Sequence, residues 1–179
     1  CVGYTLTGDT SEQCLLFLHG VGKNGKTTLS EIIASLLSEY TLKTPSDTVM
    51  RTKYKQTDRA TAGLDGVRLV SVSEVADGAI LDAALVKDMT GGDTIASRKL
   101  YSERYNYTPQ FKLWMYGNHK PTIADKDDGI WRRIRLIPFN VRIADSAVDK
   151  HILEHILSEL PGILAWAVRG CVKWWNIGG

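Results

Sequence analysis

The sequence predicts an α/β fold built around a mainly parallel central sheet, and three of its features make that prediction. An apolar run, Cys14-Leu15-Leu16-Phe17-Leu18-His19, passes through a glycine-rich loop into a helical pattern. Two later runs, Val67 to Glu74 and Phe111 to Tyr116, have the apolar and β-branched character of strands covered on both faces. Each run ends where α/β sheets gather their ligands, at the C-terminal end of a strand. With 179 residues, 44% of them hydrophobic, the chain can bury one sizeable core and is too short for two ordinary domains.

In chain order, Gly3 to Gln13 is polar and rich in turn formers and reads as an entry loop of little functional content. The stretch Gly20, Val21, Gly22, Lys23, Asn24, Gly25, Lys26, Thr27 and Thr28 then carries the spacing G-x-x-x-x-G-K-[ST]. Its glycines let the backbone curl so that successive N–H groups face one anion, and a helix N-terminus adds partial positive charge. Lys26 is placed to reach the β- and γ-phosphates of ATP and the Thr27 hydroxyl to ligate Mg²⁺, with Thr28 a spectator by position. Leu29, Ile32, Ile33, Leu36 and Leu37 follow at helical spacing, so strand, loop and helix occur in the order that nucleotide binding needs.

Thr41 to Leu64 is polar and locally basic, and reads as a solvated surface connection. The run from Val67 delivers Glu74, which either holds Mg²⁺ through water and polarises an attacking water or is an idle strand-end glutamate. Asp82 to Met89 has a helical pattern, and Thr90-Gly91-Gly92-Asp93 is a turn. From Ile95 to Tyr107, Arg98, Lys99 and Arg104 interleave with Tyr101, Tyr105 and Tyr107. That mixture suits a β-hairpin touching single-stranded nucleic acid, and equally suits tyrosines that pack as core and cross-strand partners.

Phe111 to Tyr116 leads into Gly117-Asn118, so Asn118 either orients the attacking water or simply forms the turn. Arg132, Arg133 and Arg135 cluster before Leu136-Ile137-Pro138-Phe139. An arginine at a subunit boundary can reach a neighbour's γ-phosphate, and the alternative is a surface ion-pair patch opposite Asp127 and Asp128. Val148 to Trp175 reads as two packing helices, the first with Ile152, Leu153, Ile156 and Leu157 inward and the second opened by Pro161 and continued by Ile163, Leu164, Ala167, Val168, Cys171, Val172 and Trp175. His151 and His155 stand four apart with no third ligand in reach, and read as structural.

The formal charge of +2 is too small to mark a nucleic-acid binder by bulk electrostatics, so a basic surface must come from local clustering. Cys1, Cys14 and Cys171 are odd in number and widely spaced, which suits buried thiols in a reducing compartment. No apolar run approaches the ~20 residues that span a bilayer, so no membrane association is expected. The start at Cys1 and the end at Ile177-Gly178-Gly179 suggest a piece of a longer polypeptide. Expected boundaries are 1–145 for the core and 146–179 for a small C-terminal helical subregion.

Taken together, Gly20 to Thr28, Ser73-Glu74, Thr90-Gly91-Gly92-Asp93 with Arg98, Gly117-Asn118, Gly129-Ile130-Trp131-Arg132-Arg133 and Ile137-Pro138-Phe139 resemble a known series. Their order is similar to that in the superfamily three helicase domain of phage and plasmid primase-helicases, the group that includes the poxvirus uncoating-factor type. Leu160-Pro161-Gly162-Ile163-Leu164-Ala165-Trp166 also looks like this family, and the likeness spans nearly the whole chain.

The resemblance implies an AAA+ related P-loop NTPase core with a β-hairpin insertion and an active site between subunits of a ring, usually a hexamer. By the same resemblance Lys26 and Thr27 bind phosphate and Mg²⁺, Glu74 activates water, and Asn118 is the sensor. Arg132 or Arg133 is then the finger offered to the adjacent subunit, and Arg98, Lys99 and Arg104 meet single-stranded DNA. A primase domain in the same full-length chain and a place in the cytoplasm of a bacterial host or virus-infected cell are also implied. Many relatives carry an acid where this chain has Ser73, which shifts metal coordination toward Thr27, Glu74 and water.

The expected function is therefore an ATPase and DNA helicase motor. Two other classes share the loop: a phosphotransferase acting on a small molecule, and a non-catalytic module that binds ATP only to assemble.

Overall fold

The structure is a computed structural model that describes residues 1–52, 61–73, 75–98, 101–124 and 128–179. Among these, the strands are β1 (Leu15–His19), β2 (Thr41–Pro45), β3 (Leu69–Ser73), β4 (Ile95–Arg98), β5 (Arg104–Tyr107), β6 (Lys112–Gly117) and β7 (Ile134–Pro138). The helices are α1 (Val2–Thr5), α2 (Lys26–Leu37), α3 (Ala83–Gly91), α4 (Asp128–Trp131), α5 (Ile152–Leu157) and α6 (Leu160–Asn176).

Side chains alternate across a strand, so a run that is apolar at every position must be covered on both faces. Leu15 and Phe17 of β1 join Val70, Val72, Leu113, Met115 and the α3 residues Val86 and Met89 in one core. Leu16 and Leu18 join Leu69, Trp114, Tyr116 and the α2 residues Ile33 and Leu37 in the other. The sheet order is β2-β3-β6-β1-β7, and every neighbouring pair is parallel. The mainly parallel α/β core predicted from the sequence is therefore the observed one. Its three apolar strands β3, β6 and β1 lie side by side, which brings their C-terminal ends together.

Helix ends follow local chemistry. Gly25 stands at the N-cap of α2 with φ 84°, a left-handed conformation that glycine adopts without steric cost. The Asp82 carboxylate caps α3 by accepting from the Leu85 N–H at 3.2 Å. β4 and β5 form an antiparallel hairpin outside the main sheet, as the basic and aromatic stretch predicts.

Several expectations need correction. Thr41–Pro45 belongs to no surface loop but is β2, paired to β3 at the sheet edge. An edge strand has one neighbour and a half-wet face, so Lys43 and Pro45 are tolerated and its composition stays polar. The entry loop contains α1, where Gly3, Tyr4 and Thr5 are buried. The Thr5 hydroxyl accepts from Trp114 Nε1 at 3.1 Å, the Tyr4 and Trp174 rings lie 4.7 Å apart, and Gly3 lies directly on the α6 backbone.

The third correction concerns the tail. Both helices form and Pro161 stands in the first turn of α6. However, Ile152 is exposed and Leu153, Ile156 and Leu157 are only half-buried, because α5 lies along one side of α2. α6 packs on α1 through Ala167, leaving Leu164, Val168, Val172 and Trp175 exposed. Of the thiols, Cys14 and Cys171 are half-buried and Cys1 is exposed, not buried. No helix among the described residues is long and apolar enough to cross a membrane.

Candidate functional site

The loop from Gly20 to Gly25 joins β1 to α2 and forms one wall of a cleft of about 710 Å³ at the C-terminal ends of β1, β3 and β6. Gly22, Lys23, Asn24, Gly25, Lys26, Thr27 and Thr28 line it, facing Ser73, Gly117 and Asn118. Lys26 is 5% exposed. Its ammonium donates to Gly20 O at 2.5 Å, Asn24 Oδ1 at 2.9 Å and Asn118 Oδ1 at 3.2 Å. Burial lowers its pKa below the ordinary lysine value, since the charged form is deprived of water and offered only neutral acceptors. A phosphate in the cleft gives that ammonium an anionic partner, so the lysine fits a polyphosphate chain.

Thr27 stands exposed in the first turn of α2 and lines the cleft, within which its hydroxyl can serve a divalent cation bound to phosphate. Among the described residues no cluster of His, Cys, Asp or Glu could hold a metal ion by itself, so Mg²⁺ at the loop would depend on the Thr27 hydroxyl, the phosphates and water. Glu74 follows directly after β3 and lies outside the described residues. Val21 is exposed, and Gly20 packs so closely on the chain after β7 that a Cβ there would lie 2.2 Å from Phe139 O.

That chain braces the loop from behind. Phe139 N donates to His19 O at 2.7 Å, Asn24 Nδ2 donates to Phe139 O at 3.0 Å, and Ile143 N donates to Lys23 O at 2.7 Å. Lys23, with φ 52°, is ion-paired with Asp145. A loop fixed at these points is shaped before any ligand arrives, which lowers the ordering cost of binding.

The arginine cluster separates into unlike members. Arg133 is 8% exposed. It donates from Nε to Thr90 Oγ1 at 3.2 Å, from Nη1 to Gly129 O at 2.6 Å and from Nη2 to Gln13 Oε1 at 3.2 Å. Arg132 is exposed and donates from Nη2 to the same Gln13 Oε1 at 2.8 Å. Arg135 is exposed and donates to Arg132 O at 2.6 Å. Gln13 is the residue that sequence reasoning missed: its φ of 45° and its place just before β1 are invisible in a polar stretch.

The hairpin also divides its residues by face. Ile95 and Ser97 on β4 and Tyr107 on β5 are buried, Tyr107 donating to Thr61 O at 3.0 Å and the half-buried Tyr105 accepting from Gly63 N at 3.2 Å. Two of the three tyrosines are therefore packing residues. Arg98 and Arg104 are paired in register on the exposed side of the hairpin, and Arg98 Nε donates to Ser102 O at 3.0 Å. Tyr101, at the turn with φ 60°, is 96% exposed. Lys99 lies outside the described residues.

Lys43, Asp77 and His119 also line the cleft, and none was singled out from the sequence. His119 Nδ1 lies 3.5 Å from Asp77 Oδ1. Position alone could have flagged His119, which follows Asn118 at the end of β6. His151 and His155 are exposed and lie near Glu154 and Asp149, both at 3.2 Å.

The model of a family of unknown function, DUF5906, matches residues 18–133, from the end of β1 to Arg133. "Putative helicase L207/L206" of Acanthamoeba polyphaga mimivirus is 36% identical over 138 residues, which cover 75% of this chain and 14% of that protein. "Putative helicase 022R" of Frog virus 3 is 30% identical over 142 residues, again 75% of this chain and 14% of the relative. "Primase D5" of Fowlpox virus is 24% identical over 147 residues, 79% of this chain and 18% of the relative. The chain thus spans a minor part of the length of each. Among solved structures, the apo C-terminal region of NrS-1 superposes with a TM-score of 0.69 at 13% identity, over 88% of this chain and 36% of that one. This chain belongs to the family of unknown function DUF5906.

Proposed function

We propose that this member of the family is the ATP-hydrolysing motor part of a DNA helicase of viral type, working as a ring, usually a hexamer, on single-stranded DNA. The observation that carries the reading is the convergence of Lys26, Thr27 and Asn118 on one cleft where β1, β3 and β6 end. The names of the viral relatives support the helicase assignment, and "Primase D5" supports a primase elsewhere in the full-length chain. The cytoplasm of an infected or host cell is the setting consistent with such a protein.

In this reading the loop N–H groups and Lys26 cradle the β- and γ-phosphates, and Lys26 exchanges Asn118 for the γ-phosphate. Thr27, with water, would hold Mg²⁺, which would supply charge neutralisation at the phosphates. Asn118, released by Lys26, is free to orient the attacking water, and Glu74 takes its proton. Arg132 is the arginine supplied to the neighbouring subunit. Arg133 is buried by Thr90, Gly129 and Gln13 and cannot extend without dismantling that packing. Arg98 and Arg104 contact DNA phosphates along the exposed face of the hairpin, and Lys99, outside the described residues, is assigned the same role by the resemblance.

The test is ATP hydrolysis by the purified chain, with and without single-stranded DNA, over concentrations that span assembly. Specific activity rising with both concentration and DNA is the expected result. Turnover that requires a small-molecule acceptor and ignores DNA would replace the motor with a phosphotransferase.

A further inference from the structure

We propose that Gln13 is the positioning residue for Arg132, an inference that rests on Arg132 acting across a subunit boundary. Gln13 Oε1 accepts from Arg132 Nη2 at 2.8 Å and Arg133 Nη2 at 3.2 Å, and its Nε2 donates to Gly91 O at 3.2 Å. A donor bond at one end of an amide fixes which end is oxygen, so the acceptor is committed to the two arginines. The backbone is committed too: Gln13 has φ 45°, and its N–H donates to Thr10 O at 2.9 Å. A non-glycine residue in that conformation persists only where its surroundings over-determine it, and such residues concentrate at functional sites.

The chemistry of the acceptor suits the task. A neutral amide orients a guanidinium without cancelling its charge, so Arg132 keeps its full attraction for a neighbour's γ-phosphate. Arg133 acts as the fixed post: its fork binds Thr90 Oγ1 and Gly129 O, which sets where the shared oxygen lies. Thr90 and Gly91, the last two residues of α3, carry both anchors, and the chain runs on from them through Gly92 and Asp93 into β4. The arginine and the hairpin are therefore anchored on the same few residues.

Two substitutions separate positioning from a structural role. Gln13→Ala removes the acceptor, and turnover is expected to fall about tenfold or more with the KM for ATP within about twofold, because a misplaced charge costs rate rather than binding. Gln13→Glu keeps an acceptor for both arginines but loses the donor to Gly91 O and neutralises the charge on Arg132, so turnover is expected to fall whatever the change in melting temperature. A residue serving the fold alone would show activity following stability in both variants.

Mixing supplies the second readout. Gln13→Ala subunits keep an intact phosphate loop, and Lys26→Ala subunits keep an intact Arg132, so rings made of both are expected to exceed the summed activity of the two variants measured alone. Wild-type turnover in Gln13→Ala, activity that tracks melting temperature in both variants, or no excess on mixing would overturn the proposal. An inactive wild type would instead strike the motor reading. The arginine side-chain NMR signals of Arg132 then decide the inference separately: sharpened order lost in Gln13→Ala supports positioning, and unchanged signals refute it.

Discussion

Removing the side chain of Arg133 tests the division of labour between the adjacent arginines. Its guanidinium makes bonds to Thr90 Oγ1, Gly129 O and Gln13 Oε1, with 8% of the residue exposed. Hydrogen bonds from a charged group contribute at least about 1.5 kcal/mol each, and breaking a buried charged network typically costs about 3–5 kcal/mol. Arg133→Ala is therefore expected to lose about 4 kcal/mol and to melt on the order of 10 °C lower, at about 2–4 °C per kcal/mol for a chain of this size. Arg132→Ala removes an exposed side chain with one bond to Gln13 and is expected to cost under about 1 kcal/mol. Chemical denaturation followed by tryptophan fluorescence measures both. Equal destabilisation by the two variants, or Arg133→Ala within about 0.5 kcal/mol of wild type, would refute the assignment of Arg133 as the buried post.

Three further outcomes follow from other parts of the molecule. Lys112 is buried, donates to Thr7 O at 2.6 Å and lies 4.4 Å from the Tyr4 ring, and burial pulls its pKa down to about 8. Between that value and the ordinary lysine value the unfolded chain holds more protons, so Lys112 makes stability rise with pH, by about 2 kcal/mol from pH 8 to 10. Burial raises the Cys14 and Tyr4 values and works the other way at high pH, so the difference between wild type and Lys112→Met across a pH series isolates the lysine; no difference in slope would exclude it. Gly3→Ala places a Cβ 2.2 Å from Cys171 N and 2.5 Å from Ala167 O, both backbone atoms, and is expected to cost about 1–3 kcal/mol by denaturant titration. Tyr101→Ala should leave the melting temperature unchanged and weaken single-stranded DNA binding at least fivefold by fluorescence anisotropy, about the loss of one stacked base; unchanged affinity would remove the turn tyrosine from the DNA surface.

Legibility in the sequence followed burial. Three consecutive-apolar strands announced themselves because cover on both faces forces every position to be apolar, and the loop after β1 carried spacing that few other structures demand. β2 was unreadable because an edge strand answers to one neighbour, and Lys43 and Pro45 fit there as well as in a loop. α1 spans Val2–Thr5, about one turn, too short to display a helical period, yet Trp114, Trp174 and Lys112 all find partners in the segment it opens. At the site, residues on strand ends were predictable as a class, whereas Gln13 depends on a backbone conformation and on contacts with residues 78 and 120 positions away. The two arginines were adjacent equals in the sequence, and only the bonds to Thr90 and Gly129 tell them apart.

The central claim is that the cleft beside Lys26 holds a nucleoside triphosphate, and equilibrium binding of a fluorescent ATP analogue tests it most directly. Wild type is expected to bind in a Mg²⁺-dependent way, with Lys26→Ala weakened at least about 30-fold, the equivalent of roughly 2 kcal/mol for a lost charged phosphate contact. Equal affinity in the two proteins, or no Mg²⁺-dependent binding by wild type, would contradict the account.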